Sequence, residues 1–116
     1  MKKFTVLFLS LLIPLASTFT VSADEDAMAL FDSKGCSTCH GDDGNSPIMS
    51  VYPKLAGQNK DYLVQEMEDI KSGKRDNGMS TAMTPAVSQL SDSEIEIIAD
   101  WLSKENTVTV AKKVSQ

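Results

Sequence analysis

Every cysteine and the only histidine of this chain fall within five consecutive positions, Cys36-Ser37-Thr38-Cys39-His40. A 116-residue chain that gathers all its thiol and imidazole chemistry in one stretch must fold around whatever that stretch holds. A structural zinc site wants four nitrogen or sulfur ligands, and the chain offers three, crowded together. A thioredoxin-like redox pair belongs in a βαβ setting, and no such pattern is present. A plain Cys36–Cys39 disulfide fits an exported chain but leaves His40 without a role.

The order C-x-x-C-H is that of covalent c-type haem attachment. Each thiol adds its S–H across one porphyrin vinyl group, which places two thioether bonds on one edge of the ring. The imidazole beside the second cysteine is then held under the ring, where it can coordinate iron.

The N-terminus points to export. Lys2 and Lys3 precede an apolar run over residues 4–15, and small residues lead to Val21-Ser22-Ala23, the pattern of a signal peptide cut after Ala23. The run is short for a membrane span and is interrupted by Pro14. The expected division is a signal peptide at 1–23, one mono-haem domain at 24–106 and a C-terminal tail at 107–116, with no membrane span. With Lys2 and Lys3 removed, nine basic residues face 16 acidic ones. That balance excludes nucleic acid and anionic membrane surfaces as partners, since both need positive charge. A chain of this size makes a thin core, so a cofactor filling its middle adds to its stability.

Three helices stand out. The first covers about 24–34, with Ala27, Leu30 and Phe31 on one face and acidic residues at its start. The second runs over about 60–72, where Leu63, Met67 and Ile70 form a stripe, Asn59 caps the start and Gly73 closes the end. The third begins at the capping box Ser91/Glu94 and carries Ile95, Ile98 and Leu102 at helical spacing, flanked by Ile97 and Trp101. The stretches 41–58 and 73–90 read as irregular loops long enough to wrap around something. Residues 107–116 read as a frayed tail, with a short strand as the other possibility.

An iron held by the porphyrin and His40 has a sixth position, and with no second histidine it falls to Met, Lys, Tyr, a terminal amine, water or nothing. Thioether sulfur suits haem iron and raises its potential. Met28 and Met67 lie in helices and read as core. Met49, Met79 and Met83 lie in the two loops, and spacing alone leaves the choice among them open.

The segments "CSTCHGDDGNS", "YPKLAGQ", "YLVQEMEDIKSGKR", "MTP" and "LSDSEIEIIADWL" occur in that order between residues 36 and 102, within the stretch 27–103 that the likeness covers. As an ordered series they resemble single-domain class I cytochromes c, particularly bacterial cytochrome c-553 and one half of the di-haem cytochrome c4. The resemblance implies an all-α fold of three main helices and long loops wrapped around one covalent haem c. It casts Cys36 and Cys39 as the thioether residues and His40 as the proximal ligand. Met83 heads the M-T-P turn before Leu90-Ser91-Asp92 and is implied as the distal ligand. Met79 is the alternative, because Ala86 stands where many relatives carry a second methionine. The carbonyl of Pro53 is implied to accept a hydrogen bond from the proximal imidazole. Leu30, Phe31, Ile98 and Trp101 are implied to pack where the first and last helices cross. Arg75, Tyr52 and Tyr62 are candidate propionate partners, with a solvated arginine and packed tyrosines as the competing reading.

The implied function is that of a soluble periplasmic one-electron carrier, not an enzyme. Its redox partners would be a donor such as a quinol-oxidising complex and an acceptor such as a terminal oxidase or reductase. The chain would be a monomer or weak dimer.

Overall fold

The computed structural model describes the backbone of residues 22–114 and the side chains of residues 22–104. Residues 1–21, which make up most of the signal peptide expected at 1–23, lie outside the described residues. Five helices follow in order: α1 Ala23–Ser33, α2 Ser37–His40, α3 Lys60–Lys71, α4 Ser80–Val87 and α5 Asp92–Val114. Among the described residues there is no strand.

The three long helices form where apolar spacing and caps agree. Ser22 caps α1, its hydroxyl accepting from the Glu25 N–H at 3.3 Å, and three acidic residues fill the first turn. These charges complement the positive end of the helix dipole. Asn59 caps α3 by accepting from the Tyr62 N–H at 3.1 Å. At α5 the capping box is reciprocal: the Ser91 hydroxyl accepts from the Glu94 N–H, and the Glu94 carboxylate accepts from the Ser91 N–H at 2.8 Å.

α5 is the spine. It packs on α1 and α3, while α3 also carries α4 and α1 carries α2. Phe31 of α1 and Trp101 of α5 meet with ring centroids 5.3 Å apart and planes tilted by 57°. Both are buried, as are Ile98 and Leu102 of α5 and Leu63 and Ile70 of α3. Burying a ring of this size contributes roughly 2–3 kcal/mol, and the tilted aromatic contact about 1 kcal/mol more.

The described structure departs from the sequence reading in four places. The second long loop contains a helix, α4, although Pro85 sits inside it and no side chain caps its start. The buried hydroxyl of Ser80 anchors its first turn by donating to the Asn77 carbonyl at 2.6 Å. The backbone of 107–114, read as a frayed tail, continues α5. Met28, read as core, is 48% exposed, because only Ala27 and Phe31 of α1 turn fully inward. Ile97 is likewise on the outside of α5.

The loop after α2 is stitched rather than loose. The Gly44 carbonyl accepts from the Leu55 and Ala56 N–H groups at 2.7 and 3.1 Å, and the Gly57 N–H donates to the Leu102 carbonyl at 2.8 Å. Gly44 has φ +65°, and a Cβ there would strike the Leu102 side chain, so both backbone and space demand glycine.

Candidate functional site

A single helical turn arranges the three reactive side chains. The Cys36 carbonyl accepts from the N–H groups of Cys39 and His40 at 3.2 and 3.0 Å, and the turn closes with Gly41 donating to Ser37 at 2.9 Å. Residues three and four apart on such a turn share a face, so Cys36, Cys39 and His40 lie together. The turn is bolted to α1 twice. The Cys36 N–H donates to the Phe31 carbonyl at 3.2 Å, and the Ser37 hydroxyl donates to the Asp32 carboxylate at 2.5 Å. The Asp32–Ser37 contact has no sequence signature beyond a polar residue at each position. Gly41 leaves the turn at φ +81°, where a Cβ would run into the Ser46 backbone.

His40 is buried, with 4% of its surface exposed. Its Nδ1 lies 2.9 Å from the carbonyl oxygen of Pro53. A carbonyl only accepts, so Nδ1 carries the proton and the lone pair of the neutral imidazole is on Nε2. A hydrogen bond of this kind also orients the ring and raises the basicity of the other nitrogen. The ring of Tyr52 stands 6.3 Å away, tilted by 58°. The Ile48 N–H donates to the Cys39 carbonyl at 3.1 Å, which docks the following loop against the turn. Ile48, Met49 and Val51 in that loop are exposed.

Cys36 and Cys39 are not joined in a disulfide. Burial pushes the Cys36 thiol up, its own backbone hydrogen bond opposes this, and the neighbouring Cys39 adds to the rise. Cys36 is partly buried and packs against the core.

The methionines separate clearly. Met83 of α4 is partly buried against the core, as is Met67 of α3. Met79, the residue capping α4, is half exposed, and so is Met49. α4 packs on α3 and α2 on α1, with no packing between α2 and α4. The structure therefore brings Cys36, Cys39, His40 and Pro53 together and sets Met79 and Met83 on a separate wall. Arg75, a candidate propionate partner, instead bonds its guanidinium to the Glu66 carboxylate. Tyr62 is exposed.

These residues fit a covalent haem. Two thiols and an imidazole with its lone pair on Nε2 are gathered on one turn in the C-x-x-C-H order, and Met83 stands partly buried on α4. They do not fit a structural zinc site, because among the described residues no three His, Cys, Asp or Glu side chains converge as metal ligands. Among the described residues no helix is long and apolar enough to cross a membrane.

The cytochrome c family model matches residues 25–105. The chain is similar to cytochrome c4 of Pseudomonas aeruginosa, at 41% identity over 85% of this chain and 48% of that protein. It is also similar to cytochrome c-554(548) of Halomonas halodenitrificans, at 38% identity over 69% of this chain and 96% of that protein. Cytochrome c-553 of Nitratidesulfovibrio vulgaris is 35% identical over 77% of this chain and 87% of its own length. The chain spans about half the length of the cytochrome c4 relatives it matches, 48% and 49%. The chain belongs to the cytochrome c family, as a class I c-type cytochrome with the all-α fold and the covalent haem c of that family.

Proposed function

We propose that this class I c-type cytochrome is a soluble periplasmic one-electron carrier, with Cys36 and Cys39 as thioether residues, His40 as proximal ligand and Met83 as distal ligand. The observation that carries the reading is the buried His40, protonated at Nδ1 toward the Pro53 carbonyl and adjacent to Cys39. When bound, the haem supplies a one-electron Fe(III)/Fe(II) couple.

The chain's own residues do the rest. Two thioethers from one helical turn keep the group from being lost. The Pro53 carbonyl holds the imidazole in one tautomer and one ring angle, so His40 presents the same donor in both oxidation states. The Met83 thioether would hold the iron together with His40 and, as a soft donor, would favour the reduced state and a positive potential. Met83 is preferred to Met79 because its side chain is partly buried against the core, whereas half of Met79 is open to solvent. Ile48, Met49 and Val51, next to Cys39, offer a small apolar surface for a brief encounter with a partner.

Residues 1–23 act as the signal peptide, residues 24–106 form the haem domain, and the partners are redox proteins of a respiratory chain. A quinol-oxidising complex would serve as donor and a terminal oxidase or reductase as acceptor.

The test is an absorption spectrum of the exported protein, oxidised and reduced, with and without carbon monoxide. Sharp reduced bands, a weak long-wavelength iron–thioether band in the oxidised protein and no response to carbon monoxide are expected. A carbon monoxide shift in the native protein would replace this reading with a ligand-binding or enzymatic one.

A further inference from the structure

We infer that Lys34 and Lys71 are positioning residues for the thioether wall: they clamp the corner between α4 and α5 and so hold α4 in place. The inference rests on the reading of α4 as the helix that carries the distal methionine.

α4 is a weak helix on its own terms. It has eight residues, no side-chain cap at its start and Pro85 in its interior. Pro85 has no N–H, so one carbonyl of the preceding turn loses its helical donor. An isolated helix this short does not persist in water. Something outside it must fix its position.

The carbonyls of the corner show what does. Thr84 accepts from the Ser88 N–H at 2.9 Å, Pro85 from the Gln89 side-chain amide at 2.9 Å, and Val87 from the Leu90 N–H at 3.1 Å. Ser91 accepts from the Ile95 N–H at 3.0 Å, already inside α5. Between these local bonds lie the carbonyls of Gln89 and Leu90, and each meets an ammonium group from a distant helix. Lys34, the residue closing α1, places Nζ 3.4 Å from the Gln89 oxygen and 3.5 Å from the Glu94 carboxylate. Lys71, the last residue of α3, places Nζ 2.7 Å from the Leu90 oxygen and 3.3 Å from the Asp92 carboxylate.

The carbonyl bonds matter more than the ion pairs. Exposed ion pairs contribute little, but Leu90 is buried and its carbonyl loses a charged donor if Lys71 is shortened. The two lysines arrive from α1 and α3, the helices that flank the spine, so the corner is fixed to both. Lys60 makes a useful contrast: it bonds Glu96 and Asp100 on α5 and touches no corner carbonyl.

The experiment uses the full-length holoprotein and the variants Lys71→Met, Lys34→Met, Lys71→Arg and Lys60→Met. Two readouts are taken: amide hydrogen exchange at residues 80–90, and the rate at which carbon monoxide binds the reduced protein. Lys71→Met is expected to raise both about tenfold, because a bond from a charged donor to a buried acceptor is lost. Lys34→Met should do the same more weakly, Lys71→Arg should restore the parent values, and Lys60→Met should change neither. Exchange at 80–90 no faster in Lys71→Met than in Lys60→Met overturns the proposal. So does an equal rise across α1, α3 and α4, which would mark general destabilisation. If Met83→Ala leaves the iron closed to carbon monoxide, the Met83 reading fails, and exchange at α4 still decides the clamp.

Discussion

The two walls proposed to hold the haem are built in opposite ways. The cysteine–histidine wall is local. One turn, flanked by Gly35 and Gly41, places three reactive side chains within five residues, and the bonds to Phe31 and Asp32 reach only a few positions back. The methionine wall is assembled from afar. α4 is short, interrupted by Pro85, and its exit is held by Lys34 and Lys71, which lie 55 and 19 residues away in sequence from the carbonyls they meet. Tolerance to change should differ accordingly. The first wall fails when its own residues change, and the second also fails when remote ones do.

The largest effect should come from the first wall itself. Cys36→Ser together with Cys39→Ser is expected to abolish covalent attachment, so that acidified organic solvent extracts all haem from the protein; retained pigment would break the assignment of both residues. Next, Trp101→Ala removes the crossing of α1 and α5 that underlies both walls. Thermal or denaturant unfolding should show a loss of about 3–5 kcal/mol. A loss confined to one wall would show that the walls are independent.

On the second wall, Met83→Ala should open the iron to carbon monoxide while Met79→Ala should not. The reverse result would move the ligand to the residue that caps α4.

The smallest effect concerns pH. The Ser91 N–H and, more weakly, Lys34 hold the Glu94 carboxyl below the usual carboxylate range, against an opposing desolvation. A depressed folded value means that the stabilisation is fully present above the unfolded value of about 4.3 and is lost as pH falls through the folded one. Protection from hydrogen exchange at the α4–α5 corner, relative to the intrinsic exchange rate at each pH, should therefore fall as the pH drops below the unfolded value of about 4.3. Glu94→Gln keeps a capping side chain and should flatten that dependence.

The difference between the walls also marks what could be read in advance. C-x-x-C-H is a short-range code, and the caps at Asn59 and Ser91 depend only on residues three apart, so both could be read from sequence. α4 was hidden because Ser80, Thr81, Thr84 and Pro85 carry no helical preference, and its position rests on packing against α3 and on the corner lysines. Met28 misled because it shares a helix with two buried residues while pointing away from them. Arg75 has its charge met by Glu66 nine residues earlier, a pairing that only the course of the chain after α3 creates.

By itself, the sequence determined the chemistry of the first wall, the three long helices and the acidic balance, because each depends on composition or on contacts within one helical turn. The Pro53 carbonyl and Met83 were pointed to by the resemblance and not by any local rule, and only the tertiary structure brings that carbonyl to His40, shelters Met83 more than Met79 and sets the two lysines at the corner. Those outcomes depend on residues brought together across the fold, and no local rule encodes the distance between them.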